Sequence, residues 1–364
     1  MEVISTNNEG EDENKNNENR NDNNGINANE PVYDFSKEQG GYYNQGEIPV
    51  NVFEAKMHGD GWQYFSILIV NWVLTVLSLG FYYPWARAKT LRYIYGETEF
   101  GGSRFTFHGT GKEMFKGFIK AIALLAGIAL LGNLGRITGS LTLAIVGGLL
   151  YFLGIMLIIP LALHGGMRYR MSRTSWRGIH FGYRGKLGEL FGICVKGFLL
   201  SVFTLGIYSS WFAVDLRRYM HSNMRLGNCH LDFEGQGSSL FWINLKGVLL
   251  FYPTLGIYTF WYIKNLNNYY INNTVLYQDG RKSQFNSSLT VGNVFEVTIV
   301  NFFLTIVTFG LYMPWAMLRE MRMVIDNVQL EGQFVPEAVV QTEENYADAT
   351  GEDLLDMLDI GLDF

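Results

Sequence analysis

Two lysines lie inside strongly apolar stretches of this chain. Lys196 and Lys246 each precede a glycine at equivalent places. A charge inside an apolar helix is costly in a bilayer. Such a lysine therefore either lines a polar site or extends its aliphatic side chain so that the ammonium group reaches the lipid headgroups. Both lysines fall near the expected starts of their helices. This position favours contact with headgroups, and a site for an anion or a lipid headgroup is the alternative.

Arginines follow the apolar stretches and suggest a second group of contacts. They can each anchor a helix to lipid phosphates, or they can converge on an acidic lipid head or an anionic solute. The first reading is favoured because loop cations beside apolar helices usually report orientation. The four candidates are Arg92, Arg168, Arg218 and Arg322.

The sequence carries no recognisable catalytic motif. A P-loop, a dinucleotide fingerprint, a Gly-x-Ser-x-Gly elbow and a His-Glu-x-x-His pair do not occur in it. His58 and His108 occupy equivalent positions, but no carboxylate is spaced to help them bind a metal. The two cysteines, Cys194 and Cys229, cannot form a metal site alone. We therefore predict a protein that is not an enzyme and uses no cofactor.

A short phrase ending in tryptophan recurs four times and organises these residues. In each copy an apolar stretch is followed by glycine, by tyrosine two residues later and by tryptophan five residues later. Tyrosine and tryptophan at the end of an apolar stretch are typical of a membrane–water interface. The glycines allow a sharp bend or a close helix approach. The copies are Gly80, Tyr82 and Trp85; Gly206, Tyr208 and Trp211; Gly256, Tyr258 and Trp261; and Gly310, Tyr312 and Trp315.

Six segments are apolar and long enough to cross a bilayer, which takes about 20 helical residues. Between them, alternating patterns that end in glycine, such as Phe105–Gly109, predict short strands. The predicted fold class is an α-helical multi-pass membrane protein with internal repeats and with short β-strands or hairpins between the helices. Residues 47–335 form this repeated domain. Its predicted transmembrane helices are 62–85, 114–134, 141–163, 190–211, 240–261 and 294–315.

The two ends of the chain have a different composition. Residues 1–46 are rich in Asn and Glu and cannot bury enough apolar surface to fold, so they are predicted to be disordered. Residues 336–364 form an acidic tail in which apolar residues alternate with carboxylates, as in a short amphipathic helix. This tail either docks a protein partner or frays. The net charge of -6 lies mainly in the tails, and no nucleic-acid partner is predicted.

The phrase, with the Arg-Tyr pair at 92–93 and the Phe-x-Phe-x-Gly strand at 105–109, resembles the YjgN family of bacterial inner-membrane proteins. The resemblance covers about residues 53–334 and includes the Arg-rich stretch 173–185. It implies a multi-pass protein of the bacterial inner membrane in contact with lipids. That family is a domain of unknown function, so it carries no catalytic residues to transfer.

Two topologies fit the pattern. Single crossings by each repeated helix would place strands on both faces of the membrane and invert successive units, as in many secondary transporters. Return helices that fold back would gather all strands on the cytoplasmic face, where the positive-inside rule also favours the basic loops. The charges in the return helices slightly favour single crossings, and hence transport or permeation of a small solute or lipid. The alternative is a scaffold that recruits a partner through cytoplasmic strands or the acidic tail.

Overall fold

The computed structural model describes residues 50–342, and of residues 134–136 it describes the backbone alone. Within this range, ten strands and ten helices follow one another in the repeated order strand, helix, helix, strand. The strands are β1 Asn51–Met57, β2 Thr98–Phe100, β3 Ser103–Phe107, β4 Thr174–Trp176, β5 Ile179–Tyr183, β6 Met224–Leu226, β7 Cys229–Phe233, β8 Thr274–Gln278, β9 Arg281–Ser287 and β10 Val328–Gly332. The helices are α1 Gly61–Leu77, α2 Tyr83–Glu97, α3 Gly111–Thr138, α4 Leu141–Ser172, α5 Leu187–Phe203, α6 Ser209–Ser222, α7 Gly237–Phe251, α8 Thr259–Asn272, α9 Val291–Val307 and α10 Met313–Ile325.

The element order divides the described chain into five consecutive units of strand, helix, helix and strand. Units 1 to 5 begin at β1, β3, β5, β7 and β9. All ten strands are antiparallel to their neighbours and close into one barrel, because β1 pairs with β2 on one side and with β10 on the other. The two helices of every unit leave and rejoin the barrel at the same end, here called the hairpin end. Tight turns between units lie at the opposite turn end.

The predicted fold class is wrong in its main feature. The segments expected to be short connecting strands pair across unit boundaries into a closed ten-stranded barrel, so the chain is not a clear helical multi-pass protein. Among residues 50–342, two helices are long and apolar enough to cross a membrane, where the sequence predicted six. They are Gly111–Asn133 and Leu141–Ser172.

Single crossings are also wrong, because each recurring phrase forms the bend of a helix hairpin. The residue before each phrase glycine has a positive φ, and the glycine N–H bonds to a carbonyl five residues back. At the first bend Leu79 has a φ of 51°, and the Gly80 N–H donates to the Thr75 carbonyl at 2.8 Å. This geometry is a Schellman motif, which ends a helix abruptly. The return helix then begins at or just after the phrase tyrosine.

Small or amide side chains let the two helices of a hairpin pack closely. Gly197 in α5 lies under the Phe212 ring, and Gly247 in α7 lies under the Tyr262 ring. At the same distance before the bend, α1 has Asn71, whose Nδ2 donates to the Ala86 carbonyl at 3.1 Å. The return helices are therefore held against their partners rather than continuing across a membrane.

The barrel encloses an apolar core that is sealed at the turn end. Trp176, Leu330 and Phe334 are at most 1% exposed. Phe334 belongs to residues 333–342, here called the closing segment. Its backbone is fixed by Gln278, which donates to the Val335 carbonyl at 2.9 Å and accepts from the Val335 N–H at 2.8 Å. The turn end is thus covered by the chain that follows β10.

The predicted tails lie almost entirely outside the described residues. The disordered tail predicted at 1–46 is outside, and so is the acidic segment from 343 to the end. Of the tail predicted at 336–364, residues 336–342 are described as part of the closing segment. They contain a single 3₁₀ turn, Pro336–Ala338, and buried Val339.

Candidate functional site

Three arginines of the return helices join neighbouring units at the hairpin end. Arg92 of unit 1 donates through Nη2 to the Gly109 carbonyl of unit 2 at 3.2 Å. Arg218 of unit 3 donates through Nη2 to the Gly235 carbonyl of unit 4 at 2.8 Å. Arg322 of unit 5 donates to unit 1, which closes the ring. These base arginines, Arg92, Arg218 and Arg322, therefore bind backbone carbonyls that lack helical partners.

The base arginines do not converge on one point. Each lies at a different unit boundary, and each is an exposed residue beside its backbone partners. Arg168 is half-buried in α4, where it precedes Tyr169 as Arg92 precedes Tyr93. Contact of these residues with lipid phosphates stays a prediction. At the corresponding place of unit 4, Asn268 donates to the Leu289 carbonyl at 3.3 Å.

In units 1 to 4, a tyrosine directly after the arginine, or after Asn268 in unit 4, ties the return helix to its own unit. Tyr93 donates to the Asp60 carbonyl at 2.8 Å, at the N-terminus of α1. Tyr219 makes the same contact with the Lys186 carbonyl at 2.7 Å. The others are Tyr169 to Thr110 at 3.4 Å and Tyr269 to Gln236 at 2.8 Å. An Arg-Tyr pair thus holds one helix end to two units at once.

Three phrase tryptophans pack on glycines of the next unit. Trp85 lies against Gly111, the first residue of α3. Trp211 lies against Gly237 in the same way, and Trp315 closes the ring against Gly61. Trp261 differs, because its side chain is 44% exposed on α8. Tyr82, Tyr208, Tyr258 and Tyr312 each stack on the tryptophan of their own phrase.

The bends form apolar tips that are almost fully exposed. Each tip residue is a leucine or phenylalanine with a φ near 50°, and the next residue is a phrase glycine with a φ between 84° and 91°. A left-handed conformation costs such residues about 1–2 kcal/mol. The tip residues and their exposed fractions are Leu79 at 90%, Leu205 at 95%, Leu255 at 92% and Phe309 at 97%.

One cleft brings two predicted contact residues together. It has a volume of about 430 Å³ between α5 and α6, and both Lys196 and Arg218 line it with Asp215 and Tyr208. Arg218 Nη1 lies 3.6 Å from the Asp215 carboxylate, so the cleft has one cation paired within it. Lys196 lies midway along α5, which places it farther from the helix start than expected. Lys246 is exposed on α7 and does not line this cleft.

A second cavity lies inside the barrel, where no sequence motif predicted one. It has a volume of about 210 Å³ and is lined by carbon-rich side chains apart from Arg225. Cys229 in its wall is fully buried, and this burial raises the pKa of its thiol to about 12. The alternation of apolar and polar residues in each strand predicts which side chains face inward. It does not predict the cavity, because the strand pairing that forms its wall joins residues far apart in the chain. The lining residues are Phe100, Phe105, Trp176, Phe181, Arg225, Leu226, Cys229, Leu231, Leu276, Phe285 and Phe334.

Two histidines that directly follow strands have different polar partners, although the His108 and His180 rings lie 5.2 Å apart. His58 Nε2 lies 2.7 Å from the Glu99 carboxylate, and His108 Nε2 lies 2.8 Å from the Ser175 hydroxyl. Burial, His180 and nearby arginines lower the pKa of His108. Across residues 50–342, His, Cys, Asp and Glu do not form a group of three or more that could hold a metal ion.

The family model and the relatives that match this chain point to the same group of bacterial proteins. The model of DUF898, described as a bacterial protein of unknown function, matches residues 54–253 and 264–357. The chain is 32% identical over 164 residues to the inner membrane protein YjgN of Escherichia coli (strain K12), covering 45% of this chain and 37% of that protein. It is also 32% identical over 129 residues to the inner membrane protein YjgN of Salmonella typhimurium, covering 35% and 30%. The chain therefore spans less than half the length of these curated relatives. No solved structure matches it.

Proposed function

The chain belongs to the DUF898 family, which includes the YjgN proteins, and from this premise we propose that it is a scaffold that recruits a protein partner at the membrane surface. It is a protein of the inner membrane, as its relatives are. The proposal includes no catalytic step and no cofactor. Membrane lipids would surround the helix hairpins, and the barrel would stand at the cytoplasmic surface.

Exposed apolar surface supports this placement of the hairpins. The first helices of the units carry exposed side chains such as Trp72 in α1, at 63%, and Phe303 in α9, at 58%. Contiguous patches of this kind are rare on soluble monomers. The long α3–α4 hairpin would cross the bilayer twice. The α1 helix has 17 residues, which rise about 26 Å and would carry its tip most of the way through a core about 30 Å thick.

The position of the barrel is the observation that carries the proposal. Because every hairpin leaves the same end of one barrel, the polar strands and turns lie on one side of all five hairpins. Inverted units around a midplane site, the argument for a transporter, would need strands on both sides. The barrel interior is lined by Trp176, Phe334 and other apolar side chains, which gives no support to an aqueous path through it.

The turn end gives the scaffold its partner-facing surface. The closing segment is held there by Glu337, which lies 3.0 Å from Arg177 Nη1, and by Gln341, which accepts from the His180 N–H at 2.8 Å. The acidic, apolar sequence at 347–364 continues from this end of the described chain. Such a sequence suits a partner with a basic, apolar groove, because an amphipathic helix binds by laying its apolar face into one.

Recovery of partners from membranes tests recruitment. We would neutralise four tail carboxylates with Glu352→Gln, Asp353→Asn, Asp356→Asn and Asp359→Asn, and purify the full chain after crosslinking in cells. The expected result is loss of a protein that the unaltered chain recovers. A matched control neutralises Glu9, Glu11, Asp12 and Glu13 near the other end and should retain it. Equal recovery by all three chains would contradict recruitment through the tail.

A second candidate function is movement of a small anion or a lipid across the membrane, and the cleft between α5 and α6 favours it. Lys196 and Arg218 there supply two cations beside an apolar surface. Efflux of inorganic phosphate from proteoliposomes tests this candidate. Lys196→Gln should slow efflux while the matched Lys246→Gln leaves it unchanged. The absence of efflux with the unaltered chain would remove phosphate permeation from consideration.

A further inference from the structure

The barrel cavity is the part of the molecule whose chemistry is most uniform. Aromatic and aliphatic side chains from β2 to β9 form its wall, and the one charged member, Arg225, already donates to the Ser222 and Met224 carbonyls through Nη1. An engineered apolar cavity of about 150 Å³ stays dry and binds benzene or xenon. The volume of about 210 Å³ found here is larger, so it can take an apolar group of comparable or greater size.

The turn end of this cavity is closed by packed and bonded groups. Trp176 and Phe334 have ring centroids 6.2 Å apart, and both rings line the cavity. Trp176 Nε1 donates to the Phe100 carbonyl at 3.1 Å and to the Ser103 carbonyl at 3.2 Å, which fixes the indole. Asn228 holds the closing segment farther along by accepting from the Val340 N–H at 3.1 Å. A ligand from the aqueous side would have to displace this segment.

The other end of the cavity faces the hairpins. Phe181 and Leu231 lie two residues farther from the tight turns than Ile179 and Cys229, which start their strands. They therefore form a layer on the hairpin side of Trp176. Phe107 and Phe233 lie two residues beyond Phe105 and Leu231 on the same strand faces and form the next buried layer, so an entering ligand has to part them. In the placement proposed above, this side is the one nearer the bilayer, which supplies flexible apolar chains at high local concentration. Rigid ring systems suit it less, since drug-sized ligands occupy pockets of about 300–1,000 Å³.

We propose that the barrel cavity is a binding site for the end of one alkyl chain, supplied either by a membrane phospholipid or by a free fatty acid. The site takes the chain terminus because its wall offers dispersion contacts and no free polar partner. This proposal rests on the membrane placement given under the proposed function, but it does not depend on recruitment of a partner.

Photo-crosslinking of the full chain in nanodiscs tests the proposal. The nanodiscs contain phosphatidylethanolamine and phosphatidylglycerol, with either a fatty acid or a phosphatidylglycerol that carries a diazirine at the chain end. Adducts on Phe181, Leu231 or Phe285 with at least one probe are the expected result, and the probe that reacts identifies the source of the chain. Adducts confined to the hairpin helices would overturn the alkyl site while leaving the membrane placement intact. Adducts nowhere would overturn both.

A variant that fills the cavity provides the specific control. Leu231→Trp should abolish the cavity adducts, whereas Val52→Trp, on the outward and 55% exposed face of β1, should retain them. The unfolding transition of each variant is measured in parallel. If Leu231→Trp does not fold, the adduct yields of Leu231→Phe and Val52→Phe are compared instead. Fewer cavity adducts are expected in Leu231→Phe. Cavity adducts that persist in the folded, filled variant would overturn the proposal.

Discussion

Arg322, in the last return helix, donates through Nη2 to the Gly59 carbonyl oxygen at 2.9 Å, across 263 residues of sequence. The same guanidinium donates through Nε to the Met57 carbonyl at 3.2 Å. Arg92 and Arg218 make equivalent contacts between units that adjoin in the chain. The Arg322 contact therefore closes the ring of hairpins beside the β1–β10 pairing that closes the barrel.

Removing the Arg322 guanidinium should destabilise the closed ring. Arg322→Ala leaves the Met57 and Gly59 carbonyls without this donor, and hydrogen bonds to charged groups are worth about 1.5–3 kcal/mol each. Because Arg322 is exposed, we expect the free energy of unfolding to fall by about 1.5 kcal/mol, the lower figure. Thermal unfolding in detergent measures this loss. Arg319→Ala is the matched control, since its ion pair with the exposed Glu296 spans 3.9 Å. Equal losses in the two variants would contradict a role for Arg322 in closure.

Gly61 should not tolerate a methyl group. A Cβ at Gly61 would collide with the Trp315 ring, so Gly61→Ala should cost about 1–3 kcal/mol through overpacking. Gly166 lies inside α4 with open space at its Cβ position, so Gly166→Ala should stabilise the chain by up to about 1 kcal/mol. Chemical unfolding of both variants measures the difference. A Gly61→Ala chain as stable as the parent would show that Trp315 moves without cost.

The hairpin tips should lie in hydrocarbon. A spin label at Leu205→Cys, in a chain with Cys194→Ala and Cys229→Ala, should be accessible to oxygen and shielded from a polar nickel complex. The same label at Thr106→Cys, on the exposed face of β3, should give the reverse. Power-saturation spectroscopy in liposomes measures both accessibilities. High access of the nickel complex to the Leu205 label would place the tips in water.

Stability should fall as the pH drops through the range in which free histidine takes up a proton. Burial, followed by the charges of His180, Arg173 and Arg92, lowers the pKa of His108 below its ordinary 6.5. Below that pH the unfolded chain binds more protons than the folded chain, so protonation favours unfolding. His108→Gln keeps a polar group near Ser175. Between about pH 7.5 and pH 5.5, its melting temperature should fall less than that of the unaltered chain. An unchanged slope would assign the pH dependence to other groups.

Local sequence patterns predicted local structure. The apolar helix before the first phrase and the strand at Phe105–Gly109 were predicted because both depend on neighbours in the chain. The helix predicted at 62–85 nevertheless ends at Leu77, and Trp85 lies in the return helix α2. The phrase tryptophans were interpreted as interface anchors, yet Trp85 packs on Gly111 of the next unit. One aromatic residue can satisfy either environment, so its type alone did not distinguish them.

Closure of the barrel could not be predicted, because it depends on contacts between distant residues. The pairing of Val52 with Glu331 has no local signal. Unit 2 lacks the phrase, so the number of units was missed, although Arg168 was grouped with Arg92. Single crossings were slightly favoured because the return helices carry charged residues. Those helices are exposed on one side and packed on the other, which a count of charges does not reveal.

Sidedness of three residues, two in strands and Glu234 directly after β7, tests the central claim, a single barrel on one side of the membrane. Glu54→Cys, Thr106→Cys and Glu234→Cys are placed singly in a chain with Cys194→Ala and Cys229→Ala, because native Cys229 is fully buried and unsuited to labelling. All three cysteines should resist an impermeant maleimide in intact cells and react in inverted membrane vesicles. Labelling of Thr106→Cys from the side opposite to Glu54→Cys and Glu234→Cys would contradict the barrel and restore alternating units.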